Sequence, residues 1–155
     1  MKLTVLTVGG RMPRWVNEGV DAYQKRLPPE LKLTFRELPL AARGNQSRDA
    51  VIRRESETIR AALPVRDQWV ALDVSGRNFT TEQLASELSK WQMSGDNISL
   101  VIGGPDGLSE ELKQEAHLCW SLSTLTLPHP LVRVVLVEQL YRAWSINAGH
   151  PYHRS

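Results

Sequence analysis

Cysteine is almost missing from this chain. Cys119 stands alone among 155 residues, so no internal disulfide can brace the fold, and such usage suits a reducing, cytoplasmic setting. Long apolar runs are missing too. None approaches the roughly 18 residues that would span a bilayer, and no membrane-crossing helix is expected. The first eight residues form a short β-like run that meets Gly9-Gly10 at once, without the apolar stretch and cleavage site of a secretory leader. Nucleotide-binding signatures are absent. No Lys-Ser/Thr follows the glycines of Gly103-Gly104-Pro105-Asp106-Gly107, and G-x-G-x-x-G follows no strand, which argues against ATP, GTP and NAD. No serine sits in a G-x-S-x-G elbow, and Cys119, between Leu118 and Trp120, reads as a packing residue. His129, His150 and His153 lack the spacing of a metal site, so no metal is expected.

Charge of one sign is not in large excess either, the formal net charge being +2. Its distribution is uneven. Residues 1–80 carry 14 Lys and Arg against 9 Asp and Glu, and residues 81–155 carry 5 against 8. The basic half could face phosphates while the other half holds something else. With 41% hydrophobic and 23% charged residues, the chain has the composition of an ordinary globular domain, and its length suits one core across 1–155.

The periodicities alternate between strand and helix. Strands are expected over 1–8, 31–38, 69–74, 98–102 and 121–127, the third followed by a turn at Ser75-Gly76-Arg77-Asn78. Helices are expected from Pro13 to Leu27, Arg48 to Leu63, Ser109 to about Leu118, and from the Pro128-His129-Pro130 segment to about Gly149. Thr80, with Gln83 three residues on, reads as a capping box for a further helix carrying Leu84, Leu88 and Trp91. Residues 41–48 have no apolar period and read as a mobile basic loop. This alternation predicts an α/β domain with a mostly parallel sheet and helices on both faces. Ligands of such sheets bind beyond the carboxyl ends of the strands. Three ends stand out: Leu72-Asp73 before a glycine turn, Ile102 before GGPDG, and Leu127 before the stiff Pro-His-Pro. Together they suggest a cofactor held largely by main chain.

The last helix carries a narrow polar stripe of Glu138, Arg142 and Ser145, and is apolar nearly all round otherwise. One sheet can bury only one of its faces. A second copy of the chain is the economical partner for another, which predicts a two-fold dimer. Within the stripe, Glu138 and Arg142 have the favourable i,i+4 orientation for an ion pair.

Three segments, IGGPDGLS (Ile102 to Ser109), SLSTLTLPHPLVRVVLVEQLYRAWSI (Ser121 to Ile146) and the ending HPYHRS, resemble the RlmH family, and the likeness spans essentially the whole chain. The resemblance implies a SPOUT-class methyltransferase with a C-terminal trefoil knot, a cytoplasmic homodimer that takes S-adenosyl-L-methionine. It implies methylation of N3 of a pseudouridine in large-subunit ribosomal RNA, in the assembled ribosome. Carried over residue by residue, the implied cofactor contacts are Leu72, Gly104, Ser123, Thr124, Leu125, Thr126, Leu127 and Pro128. The tail of one protomer is expected to complete the site of the other. An imide N3 must lose its proton before it can attack a methyl group. Glu138, Arg142, Tyr152, His153 and Arg154 are the candidates: Glu138 or His153 to take the proton, the arginines to stabilise the anion. A non-enzymatic RNA-binding protein and a SPOUT enzyme acting on transfer RNA are the competing readings.

Overall fold

A computed structural model describes residues 1–154. Its elements run β1 (Lys2–Val8), α1 (Arg14–Gln24), β2 (Lys32–Leu38), α2 (Arg48–Ala62), β3 (Gln68–Asn78), α3 (Thr81–Ser94), β4 (Ile98–Ile102), α4 (Glu110–Glu115), β5 (Leu118–Ser121), α5 (His129–Ala148), and a closing 3-10 turn (Pro151–Arg154). The five strands form one sheet in the order β2-β1-β4-β3-β5, and every pairing is parallel. Each strand is therefore joined to the next by a crossover, and both faces of the sheet are covered.

Alternation along the strands divides the interior into two layers. Leu3, Val5, Val70 and Leu72 point to the side occupied by α1, α3 and α5, whereas Leu6, Val8, Trp69 and Ala71 point to the side of α2 and α4. Central β4 is buried at all five positions. The start of α3 is set by sequence alone. The Thr80 hydroxyl accepts from Gln83 N (3.1 Å), and the Gln83 side chain accepts in return from Thr80 N (2.9 Å). Thr80→Ala removes half of this box and is expected to lower stability by about 1 kcal/mol, read by chemical denaturation.

Two sequence expectations need correction. The strand expected over 121–127 lies at 118–121, and the following residues form a loop. Its alternation of Leu with Ser and Thr imitates a strand, but local bonds turn the chain away: the Ser121 hydroxyl donates to Ser123 O (2.8 Å), and the Ser123 hydroxyl accepts from Leu125 N (2.9 Å). The turn expected at 75–78 is part of β3. That strand pairs Leu72 with Trp120, arches away, and returns to pair Arg77 with the same Trp120. The arch is held by Asp73, whose carboxylate accepts from both the amide and the hydroxyl of Ser75.

The last helix, α5, is packed on several sides. Within one chain, α1 and α3 flank it while its inner face meets the sheet. Gly19 permits the close approach of α1, since a Cβ there would already touch Val134 at 3.4 Å. A strip through Leu131, Val135, Glu138 and Arg142 remains partly exposed on the outer side.

Candidate active site

A cleft of about 480 Å³ opens at the carboxyl ends of β3, β4 and β5. This is the size of a typical small-molecule site. Its floor and walls come from Leu72, Asp73 and Val74 of β3, the turn from Ile102 to Leu108, the loop after Ser121, and the start of α5. Of the residues expected to touch a cofactor, Leu72, Gly104, Ser123, Leu125, Leu127 and Pro128 line it. Thr124 and Thr126 are exposed and stand outside the lining. Leu125 is 72% exposed although it lines the cleft, so an apolar side chain forms part of the rim.

The glycine turn is shaped by the protein around it. A Cβ on Gly103 would lie 2.9 Å from the Leu108 side chain, and one on Gly104 would lie 2.8 Å from Glu55 Oε1 and 3.3 Å from Val8. A side chain at 104 thus runs into the protein interior rather than across the cofactor approach. Glu55 itself is 2% exposed, accepts from Ala41 N (3.1 Å) and lies 3.7 Å from Arg43. Arg43 also pairs with Asp106 of the turn, and Arg48 lies 3.6 Å from the same carboxylate. The loop expected to be mobile is therefore tied to the cleft wall by its own arginine.

Two further groups at the cleft were given no chemical role from sequence. Burial pushes the Asp73 carboxyl upward, but the Ser75 hydroxyl and amide and then Lys113 (3.3 Å) outweigh it, and the net direction is below the ordinary value. Asp73 therefore presents an anion. His129, the first residue of α5, also lines the cleft, and its Nε2 accepts from Arg133 Nε at 3.0 Å. Burial first, and the Arg133 cation second, lower its pKa, so the ring is neutral. The i,i+4 spacing of His129 and Arg133 was the available signal, hidden because Arg133 sits among six apolar neighbours in LVRVVLVE. Cys119 is pushed upward chiefly by burial, which leaves an unreactive thiol.

The residues expected to handle the proton gather elsewhere. Arg142 donates to Glu138 from Nε (3.0 Å) and Nη2 (2.8 Å), and the Tyr152 hydroxyl donates to Glu138 Oε2 (2.9 Å). The Arg142 guanidinium lies over the Tyr152 ring at 4.9 Å, and that ring packs against Tyr141 at 4.6 Å. Burial and the bond to Glu138 raise the Tyr152 pKa far above the ordinary range, making it a donor and a poor base. His153 shares the same 3-10 turn with its Nδ1 buried and unpartnered, and Arg154 is exposed. The tail is thus docked on α5 rather than frayed. Among the described residues, no group of three or more His, Cys, Asp or Glu side chains is placed to hold a metal, and no helix is long and apolar enough to cross a membrane.

Known proteins share this architecture. A methylase family protein from Neisseria gonorrhoeae superposes with a TM-score of 0.52 at 16% identity, covering 90% of this chain and 81% of its own. Another from Haemophilus influenzae Rd KW20 gives 0.57 at 10% identity, covering 97% of this chain and 69% of its own. At such identities the likeness establishes the fold alone. The sequence model for predicted SPOUT methyltransferases, by contrast, matches residues 1–153, essentially the full length. The chain therefore belongs to the SPOUT methyltransferase family.

Proposed function

We propose that this chain is an RlmH-type enzyme that transfers a methyl group from S-adenosyl-L-methionine to N3 of a pseudouridine in large-subunit ribosomal RNA, acting as a homodimer. The observation that carries the reading is the cleft itself, set at three strand ends in a chain of SPOUT sequence. Its residues fit the cofactor. Leu72, Val74, Leu108, Leu125, Leu127 and Val132 offer apolar walls to an adenine ring, the 103–107 turn and the 121–128 loop offer main-chain polar groups, and Asp73 offers an anion to an ammonium or ribose hydroxyl. When bound, the sulfonium supplies an electrophilic methyl; the protein's part is to hold the acceptor in line and manage its proton.

Within one chain the cluster that would manage the proton is remote from the cleft. From His129 at the rim to Glu138 is nine residues of continuous helix, or about 13 Å of axial rise. A second protomer, packed through the outer strip of α5, is what brings Tyr152, His153 and Arg154 of one chain to the cleft of the other. Glu138 then accepts the imide proton, with Arg142 and Arg154 stabilising the anion. The trefoil knot belongs to the same reading, as the chain path expected of SPOUT proteins around this cleft.

Calorimetry should show binding of S-adenosylhomocysteine at one site per chain without added metal, and Leu125→Glu, a change at an exposed rim position, should weaken it at least tenfold while leaving the fold intact. Unaltered affinity in that variant would remove the cofactor from this cleft. Mass spectrometry of ribosomal and transfer RNA from cells with and without the protein assigns the target. A missing methyl group in transfer RNA instead of ribosomal RNA would overturn the substrate, but not the cofactor.

A further inference from the structure

Arg133 is 3% exposed, and a buried guanidinium is costly unless its N–H groups and charge are met. It donates to Glu37 Oε1 (3.1 Å), the Thr7 hydroxyl (3.1 Å) and the Gly10 carbonyl (3.4 Å), tying the ends of β1 and β2 to α5. Those bonds explain its place in the fold. They do not explain the fourth, from Nε to His129 Nε2 at 3.0 Å. A cation that donates to an imidazole nitrogen occupies the lone pair on which a second proton would land. The ring proton must then sit on Nδ1.

This nitrogen belongs to a ring lining the cleft, and no described residue accepts from it. His129 also opens a helix of twenty residues, whose positive end favours a negative partner, and Pro130 beside it has no N–H to offer. The charged neighbours of the ring are Arg133 on its own helix and Glu37 of β2; Glu37 opposes the lowering of the His129 pKa but does not reverse it.

We propose that His129 is a fixed hydrogen-bond donor of the active site, locked by Arg133 in the Nδ1–H form, so that it holds a negatively charged oxygen and is barred from acting as the base. Arg133 is the positioning residue. This rests on the cleft being the methyl-transfer site. The oxygen has two possible sources, the carboxylate of the cofactor or the ring carbonyl that gains charge as the target nitrogen loses its proton.

Nitrogen-15 histidine spectra of the protein alone test the lock. One ring, identified by its disappearance in His129→Asn, should show the Nδ1–H tautomer and should titrate only below the ordinary 6.5. In Arg133→Gln the same ring should gain a proton at higher pH than in the wild type, because the cation is gone while the burial and Glu37 remain. The wild-type spectrum decides by itself should that variant not fold. An Nε2–H tautomer, or ordinary titration in the wild type, overturns the inference.

The donor's partner is tested with S-adenosylhomocysteine. A loss of affinity of roughly tenfold or more in His129→Ala, restored in His129→Asn, whose amide can replace the Nδ1–H, assigns the cofactor carboxylate. Unchanged affinity, with kcat lowered on the order of 10²-fold at constant KM, assigns the target base. If neither changes, the donor role is wrong. A wild type that binds no S-adenosylhomocysteine overturns the reading of the cleft and this role with it. A titrating His129 in a wild type that does bind overturns this inference alone.

Discussion

Ending the chain after Pro151 is expected to lower methyl transfer by about 10²–10⁴-fold, the loss typical when positioned acid–base groups are removed, while S-adenosylhomocysteine affinity stays within a few-fold of the wild type. None of residues 152–154 lines the cleft, which is why binding should persist. Deletion is not structurally silent, however. Tyr152 is packed against Tyr141 and under Arg142, and its hydroxyl bonds to Glu138, so some stability goes with it. Tyr152→Phe keeps the ring and removes only the hydroxyl, a loss of about 1–3 kcal/mol from a bond to a charged group. His153→Ala and Arg154→Ala leave Tyr152 in place and should each lower kcat without altering the melting temperature by more than a few degrees. Mixing the shortened chain with Leu125→Glu tests the shared site. Heterodimers should regain one working site if the tail of one protomer serves the cleft of the other. No recovery on mixing means that tail and cleft do not act in trans, and the dimeric site is then wrong.

A methyl group added at Gly76 is expected to destabilise the protein by about 3 kcal/mol or more, at or beyond the upper end of overpacking. Its Cβ would stand 2.7 Å from Cys119 C and Trp120 N, both backbone atoms of β5 that cannot swing aside. The strand would have to lift from β5 where the arch rejoins it, and the arch carries Asp73 and Val74 of the cleft. Gly76→Ala should therefore lose stability and S-adenosylhomocysteine affinity together, seen as a lower denaturation midpoint and a weaker calorimetric signal. Gly10→Ala is the control. Nothing lies within 4 Å of its Cβ, and the change should stay within roughly 0.5 kcal/mol of the wild type. A Gly76→Ala protein as stable as this control would show that β3 does not approach β5 so closely.

Much of this molecule is determined by local pattern. Strand and helix periods, the Thr80–Gln83 box and the Pro and Gly stops place most elements within a few residues, because each depends on neighbours along the chain. Leu72, Gly104 and Pro128 could be associated with one site for the same reason, since parallel strands in a crossover fold deliver their carboxyl ends to one edge. Tertiary structure decided what depends on partners distant in sequence. The arch of β3 exists because Gly76 can touch β5, 43 residues on. That α1 and α3 flank α5 is something no pattern within the helix could reveal. Arg133 is neutralised by Glu37, 96 residues away, and only that enclosure turns a lone histidine at a helix start into a locked donor facing the cleft. A side chain's chemistry is written in its type, but its protonation and direction are set by the groups that replace water around it, and folding alone brings those groups together.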